Sequence, residues 1–372
     1  MNFPLEIDSL AHGGAGVGRQ AGKVVFCAGG IPGDTVLARV TADKGRFLEA
    51  KTSQVVNPSP DRVEPPCPVF DRCGGCDWQM LSLDGQRTAK AEIVRSQLRH
   101  LGGFEDPPVE MTRAVGPGFR YRNRIDLRVA EGKPALYEAG SHRPVPIADC
   151  PLVVEPIARR IAELRPSSGV DRITLRASTI TGEMAELHRR RGRWDRGRLH
   201  ELVAGRRFQI TGRAFFQVNT GGADALVALV SELGVGPADS LLDGYAGGGL
   251  FSATVGAGAG RVVAVESDRR ALADLAVNAP EAEVIARPFE EAEPGPVDAA
   301  VVDPPRSGLG RKGVDSLVKS TPRQVAYVSC DPASLARDLR LLVESGYHLR
   351  KVTPVDMFPQ THHVEAVALL RR

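Results

Sequence analysis

Three of the six cysteines in this chain crowd into one stretch, CPVFDRCGGC, and a fourth follows far downstream in IADCPL. Cys67, Cys73, Cys76 and Cys150 make a four-thiolate donor set suited to zinc or to an iron–sulfur cluster. Two paired Cys-x2-Cys knuckles would favour zinc, whereas three clustered ligands plus one distant one lean toward [4Fe–4S]. The spacing is not the Cys-x3-Cys-x2-Cys of radical enzymes, and four protein ligands leave no open iron for chemistry. A secreted disulfide framework is not expected at this length and spacing.

Cys330 stands apart, in AYVSCDPASLARDL, where an apolar run stops and a helix begins. The stretch supports a packing residue and a nucleophile equally. Asp331-Pro332 turns the chain out of its strand, and a helix N-terminus behind a thiol favours the thiolate. Glu365, in MFPQTHHVEAV, opens a strand that is apolar on both faces; a carboxyl there should have a raised pKa, which suits a general base. His362 and His363 beside it are assigned no role. The turn DGYAGGGLFS follows a strand and precedes a helix, so backbone can approach a ligand there, and Glu266 ends the next strand where a carboxylate can take both hydroxyls of a ribose. VVDPPRSGL puts Asp303 at a third strand tip. Arg306 follows the two prolines where an aromatic residue would suggest methylation of an exocyclic amine, so that chemistry is disfavoured.

These groups need elements to hold them. Residues 1–57 read as short strands broken by glycine, including Val24-Val25-Phe26 and Val36 to Val40, a pattern that suggests a small barrel. A proline-rich linker follows, then a helical pattern from 77 to 102 and strands from 119 to 215 with one helix near 152–165. Beyond 221, strands and helices alternate, which predicts an open, mostly parallel α/β sheet with ligands outside the strands' carboxyl ends. The net charge of +3 proves no nucleic-acid partner, but GFRYRNRIDLR and HRRRGRWDRGRLH concentrate arginine beside aromatics. Neither a bilayer span nor a secretory leader is expected, so a cytoplasmic location is.

With these pieces in order, the chain resembles the adenosylmethionine-dependent RNA uracil-5 methyltransferases, from the N-terminus to Glu365 and interrupted mainly around 165–205. LAHGGAGVGRQAGKVVFCAGGIPGDTVLARV is similar to a TRAM domain, an OB-like RNA-binding barrel, with Cys27 expected in its packing. CPVFDRCGGCDWQ with Cys150 is similar to the family's [4Fe–4S] site. The resemblance implies three units: a barrel over 1–57, a central α+β iron–sulfur unit over 58–214, and a Rossmann-like methyltransferase sheet over 215–372. It also implies cofactor contacts at Gln217 (in FFQVN), Tyr245, Gly247, Glu266 and Asp303, with Cys330 as nucleophile and Glu365 as base. That division of labour has a chemical reason. Uracil C5 is too weakly nucleophilic to take a methyl group until a thiolate has added to C6, and a base must then remove the C5 proton so the thiolate can leave.

Several positions depart from the family pattern. Gly244 replaces a larger apolar residue, Ala246 and Leu250 replace polar ones, and Arg287-Pro288 stands where a polar or acidic residue is expected. The barrel and cluster together favour 23S rRNA as substrate over tRNA, and a monomer. The departures motivate a second reading, a non-catalytic RNA-binding module; cytosine-5 methylation is disfavoured by the single active-site cysteine.

Overall fold

The computed structural model describes residues 2–372. At the N-terminus six short strands form one curled sheet, in the order Asn2–Glu6, Thr35–Asp43, Phe47–Asn57, Lys23–Ala28, Gly16–Gln20, Ser9–Leu10. Alternation puts Phe3, Leu5, Val25, Cys27, Val36 and Ala38 inside, so Cys27 is a core residue as expected. Gly18 lets the sheet curl until the strands Asn2–Glu6 and Gly16–Gln20 approach, because a Cβ there would collide with the Glu6 carbonyl oxygen. The proline-rich linker forms no helix or strand, yet it is pinned: Arg62 meets the fully buried Asp34 at 2.5 Å, and Ser59 N donates to the same carboxylate at 2.9 Å.

The middle of the chain forms a second, antiparallel sheet of six strands between Arg124 and Trp194, with the helix Glu155–Glu163 closing its core. Two neighbouring elements pack elsewhere. The helix Leu83–His100, capped by Ser82, buries Val94 and Leu98 against the C-terminal sheet. The hairpin Arg198–Val203/Arg206–Thr211 puts Leu199, Phe208 and Ile210 into the core on that sheet's other face.

The C-terminal sheet has seven strands: β1 (Ser240–Gly244), β2 (Arg261–Val265), β3 (Glu283–Ile285), β4 (Ala299–Val302), β5 (Gln324–Ser329), β6 (His348–Val355) and β7 (Glu365–Arg371). Their order is β3-β2-β1-β4-β5-β7-β6, parallel except for β7, which runs antiparallel to both neighbours. The expected open, mostly parallel sheet is therefore present. The order reverses between β1 and β4, which opens a crevice at their carboxyl ends. The outer edge of β6 is covered: Glu110 N donates to Val352 O at 2.9 Å and Arg113 N to Pro354 O at 2.8 Å. Among the described residues, no helix is long and apolar enough to cross a membrane.

Candidate active site

A cavity of about 880 Å³ occupies that crevice, and Gln217, Tyr245, Gly247, Glu266, Asp303, Cys330 and Glu365 all line it. The glycine turn after β1 forms its floor. Tyr245 has a left-handed φ of 61° and stacks on Phe289 at 5.1 Å, while its hydroxyl donates to Glu290 at 2.8 Å. Gly247, also left-handed at φ 55°, donates its N–H to Glu266 Oε2 at 2.8 Å. The other Glu266 oxygen accepts from Ser267 N and Asp268 N, so the carboxylate is fixed at the tip of β2. The departures from the family pattern have packing reasons. A Cβ on Gly244 would lie 2.5 Å from the Phe289 ring, and Ala246 and Leu250 are buried among apolar neighbours.

Gln217 is positioned from outside the sheet. Buried Arg176 donates to Ala214 O at 3.2 Å and to Phe216 O at 2.9 Å, holding the segment that carries it. Its amide approaches Asp303 Oδ2 at 3.5 Å. Asp303 meets water only through the cavity, so burial pushes its carboxyl up to about 7, helped by the charge of Asp243 beneath. Asp243 is wholly buried and likewise raised to about 7 by burial, against two hydrogen bonds from Ser252.

The far wall carries the sulfur. Ser329 pairs with Ala366 in the β5–β7 ladder, so the next residues outward, Cys330 and Glu365, face each other across the strand ends. Asp331 caps the helix Pro332–Glu344 by accepting from Ser334 N at 2.8 Å, turning the chain away and leaving Cys330 half-buried at the cavity. Glu365 is buried, and its carboxyl is held well above the usual range, first by burial and then by Asp303, as its buried strand predicts. The thiol is pulled both ways. Arg306 draws it toward the thiolate, but burial, Glu365 and Asp303 outweigh that and push Cys330 up to about 12. Burial and the two carboxylates thus work against the thiolate at this position.

Several lining residues were not singled out from sequence. Phe215, 65% exposed, projects at the cavity rim beside buried Phe216. Arg122 and Arg213 also line the cavity, and Arg213 lies 4.1 Å over the Trp194 ring. Doubled phenylalanines before a glutamine are the only sequence signal for Phe215. The arginine clusters themselves are partly neutralised: Arg120 pairs with Asp149, Arg189 with Asp171 and Arg190 with Asp195. His363 lines the cavity as a neutral imidazole, pushed down to about 4 by burial, His362 and Arg306.

The other four cysteines meet around a second, smaller cavity walled by Val69, Phe70, Leu136, Ile147 and Leu152. Close backbone approach builds it. Gly74 N donates to Tyr137 O at 2.9 Å, and a Cβ on Gly74 would press on Ala139 at 3.1 Å. Burial raises Cys73, Cys76 and Cys150, Cys76 to about 12, and each thiol disfavours its neighbours' ionisation. Among the described residues, no three metal-binding side chains are drawn together tightly enough for a single ion. Four soft thiol donors around one apolar pocket are a donor set of the kind that holds zinc or an iron–sulfur group.

Comparison with known proteins agrees with this architecture. Residues 296–372 match the family profile of tRNA (uracil-5-)-methyltransferase, and residues 3–52 match that of the TRAM domain. An RNA methyltransferase of Gloeobacter violaceus, itself uncharacterised, is 35% identical over 99% of this chain and 96% of its own length. The 23S rRNA (uracil(1939)-C(5))-methyltransferase RlmD of a Shewanella species is 31% identical over 98% of this chain and 94% of its own. Among solved structures, the Pyrococcus abyssi tRNA (uracil-54, C5)-methyltransferase in complex with S-adenosyl-L-homocysteine aligns over 100% of both chains, with a TM-score of 0.78 and 26% identity. The chain belongs to the S-adenosylmethionine-dependent RNA (uracil-5-)-methyltransferases, with a TRAM domain at its N-terminus.

Proposed function

We propose that this enzyme methylates C5 of a uridine in 23S rRNA, with Cys330 as nucleophile and Glu365 as base. The observation that carries the residue assignment is the β5–β7 register, which faces thiol and carboxyl across one wall of the cofactor-sized cavity. Glu266 takes the ribose hydroxyls, and Gln217, Tyr245, Gly247 and Asp303 hold the rest of the cofactor, which supplies the methyl group as a sulfonium. Cys330 and Glu365 lose their protons to solvent through the open cavity, the thiolate adds to uracil C6, and the C5–C6 π pair moves toward the adjoining carbonyl as an enolate. C5 then takes the methyl group, whose bonding electrons stay on the cofactor sulfur as a neutral thioether. Glu365, ionised by then, accepts the C5 proton, and the C6–sulfur bond breaks to return the thiolate. The cofactor's positive sulfonium would favour the ionised forms of Asp303, Glu365 and Cys330, opposing the burial that raises all three. The target base must leave its stack to enter, and exposed Phe215 at the rim is placed to stack against a base.

Wild-type protein with 5-fluorouracil-containing RNA and adenosylmethionine should form a covalent adduct that Cys330→Ala abolishes. Glu365→Gln should accumulate adduct on ordinary RNA. Persistence of the adduct in Cys330→Ala would remove that residue from the mechanism.

The rRNA assignment is supported by the full-length likeness to the Shewanella enzyme. The archaeal tRNA enzyme, aligned over the whole chain, favours tRNA as a second reading. Mass-spectrometric mapping of m5U in rRNA and tRNA, with and without this protein, separates them: loss from tRNA alone would overturn the first. Cys67, Cys73, Cys76 and Cys150 would hold a [4Fe–4S] cluster in the central unit, 58–214, between the barrel over 1–57 and the methyltransferase unit over 215–372. Iron and labile sulfide in anaerobically purified protein, lost in Cys76→Ser, test that assignment; zinc in their place would refute it.

A further inference from the structure

One turn of the barrel reaches both loops that carry the reacting side chains. Residues 11–15 close on themselves, with Ala11 N donating to Ala15 O at 2.8 Å and Gly14 N to Ala11 O at 2.9 Å. From this turn, His12 Nε2 lies 3.3 Å from Asp331 Oδ2. On its other side, Gly14 O accepts from the buried Trp78 Nε1 at 3.0 Å. Gly14 also sits against His362, where a Cβ would be only 3.0 Å from that side chain. His362 lies 2.6 Å from Asp77 and 4.2 Å, ring to ring, from the cavity residue His363.

The contact with Asp331 is the one that bears on the sulfur. Asp331 N donates to Ser329 Oγ at 3.2 Å, and Ser329 Oγ donates to Asp331 O at 3.0 Å. Cys330 is therefore the middle residue of a staple whose two ends are tied to each other. The Asp331 side chain sets the orientation of the outer end: Oδ1 caps the following helix and Oδ2 faces His12. Of the groups holding this staple, His12 alone comes from the barrel, more than three hundred residues away in sequence.

We infer that His12 is a positioning residue: through Asp331, the RNA-binding barrel fixes the direction in which Cys330 presents its sulfur to the uracil. A barrel shifted on its dock leaves the thiol misaimed, so seating of the barrel and alignment of the nucleophile are one event. The inference rests on Cys330 being the nucleophile.

The test uses the full-length protein with His12→Ala and His12→Gln, measured at saturating 5-fluorouracil RNA and adenosylmethionine. His12→Ala should slow single-turnover adduct formation roughly tenfold, with the RNA Kd held within about twofold. His12→Gln should regain most of the rate, because its amide still donates at the same reach. Adding Asp331→Asn to His12→Ala should cost little more, since both act on one contact. An unchanged adduct rate in His12→Ala, or a defect confined to the RNA Kd, would overturn the proposal. Cys330→Ala is run alongside; an adduct there would instead refute the nucleophile assignment beneath it.

Discussion

At the scale of single residues, this site holds its charges against their preference. Asp303 and Glu365, which line the cavity, and Asp243 beneath them are all raised by burial. Asp303, at about 7 in the fold against 3.8 unperturbed, binds its proton more tightly folded than unfolded. Stability therefore falls as pH climbs through that window, and the full cost is present above it. Asp303→Asn should raise the Tm at pH 8, leave it nearly unchanged at pH 4, and weaken adenosylmethionine binding at both; an equal Tm gain at the two pH values would contradict this assignment of the cost. Sequence made the Glu365 shift legible, because a carboxylate opening a two-sided apolar strand has nowhere polar to go. The net balance at Cys330 was not legible, because only the helix that follows it is local in sequence, whereas Arg306, Asp303 and Glu365 are all brought in by the sheet.

At the scale of elements, the loop between β6 and β7 is held from outside the sheet. The helix Leu83–His100 sends in Lys90, fully buried, whose Nζ lies 2.7 Å from Asp356 and donates to Phe358 O at 2.9 Å. Gln86 adds a reciprocal pair: its Nε2 donates to Gln360 Oε1 at 3.0 Å, and its Oε1 accepts from Gln360 N at 2.7 Å. Lys90→Met leaves Asp356 buried with only the more distant Arg87, and should cost about 3 kcal/mol in urea denaturation. Replacing Asp356 by Leu in the same chain should recover much of that loss; no recovery would mean the pair is held for something besides charge balance. None of this could be read from sequence, since the partners lie far apart and a lysine in an amphipathic helix reads as solvated. The edge strand β6 carries no clear strand pattern in the sequence, for a local reason. His348, Arg350 and Lys351 break its alternation, and Pro354 is tolerated only because β6 lies at the sheet's edge.

At the scale of the whole molecule, the N-terminal TRAM domain is a docked part of the enzyme and not a tethered accessory. Leu10 and Ile31 from its curled sheet share a buried cluster with Trp78, Met80, Leu81 and Ile93. Deleting residues 1–57 should lower the Tm of the remainder and expose Trp78, shifting its fluorescence to the red; a truncated protein with an unchanged Tm would contradict this docking. The alternating βα pattern and the glycine-broken N-terminal strands were both legible, because each follows from local periodicity. Which core each middle element joins was not legible, since helix Leu83–His100 and hairpin 198–211 are patterned like their neighbours and differ only in what they meet. The backbone pairing of residues 109–113 along β6 also bears on how the chain is made. Val109 leaves the ribosome 243 residues before its partner Val352, so the cover for the open edge already exists when that edge is synthesised. A nascent β6 thus meets its own chain first, which gives a neighbouring copy little time to add a strand there.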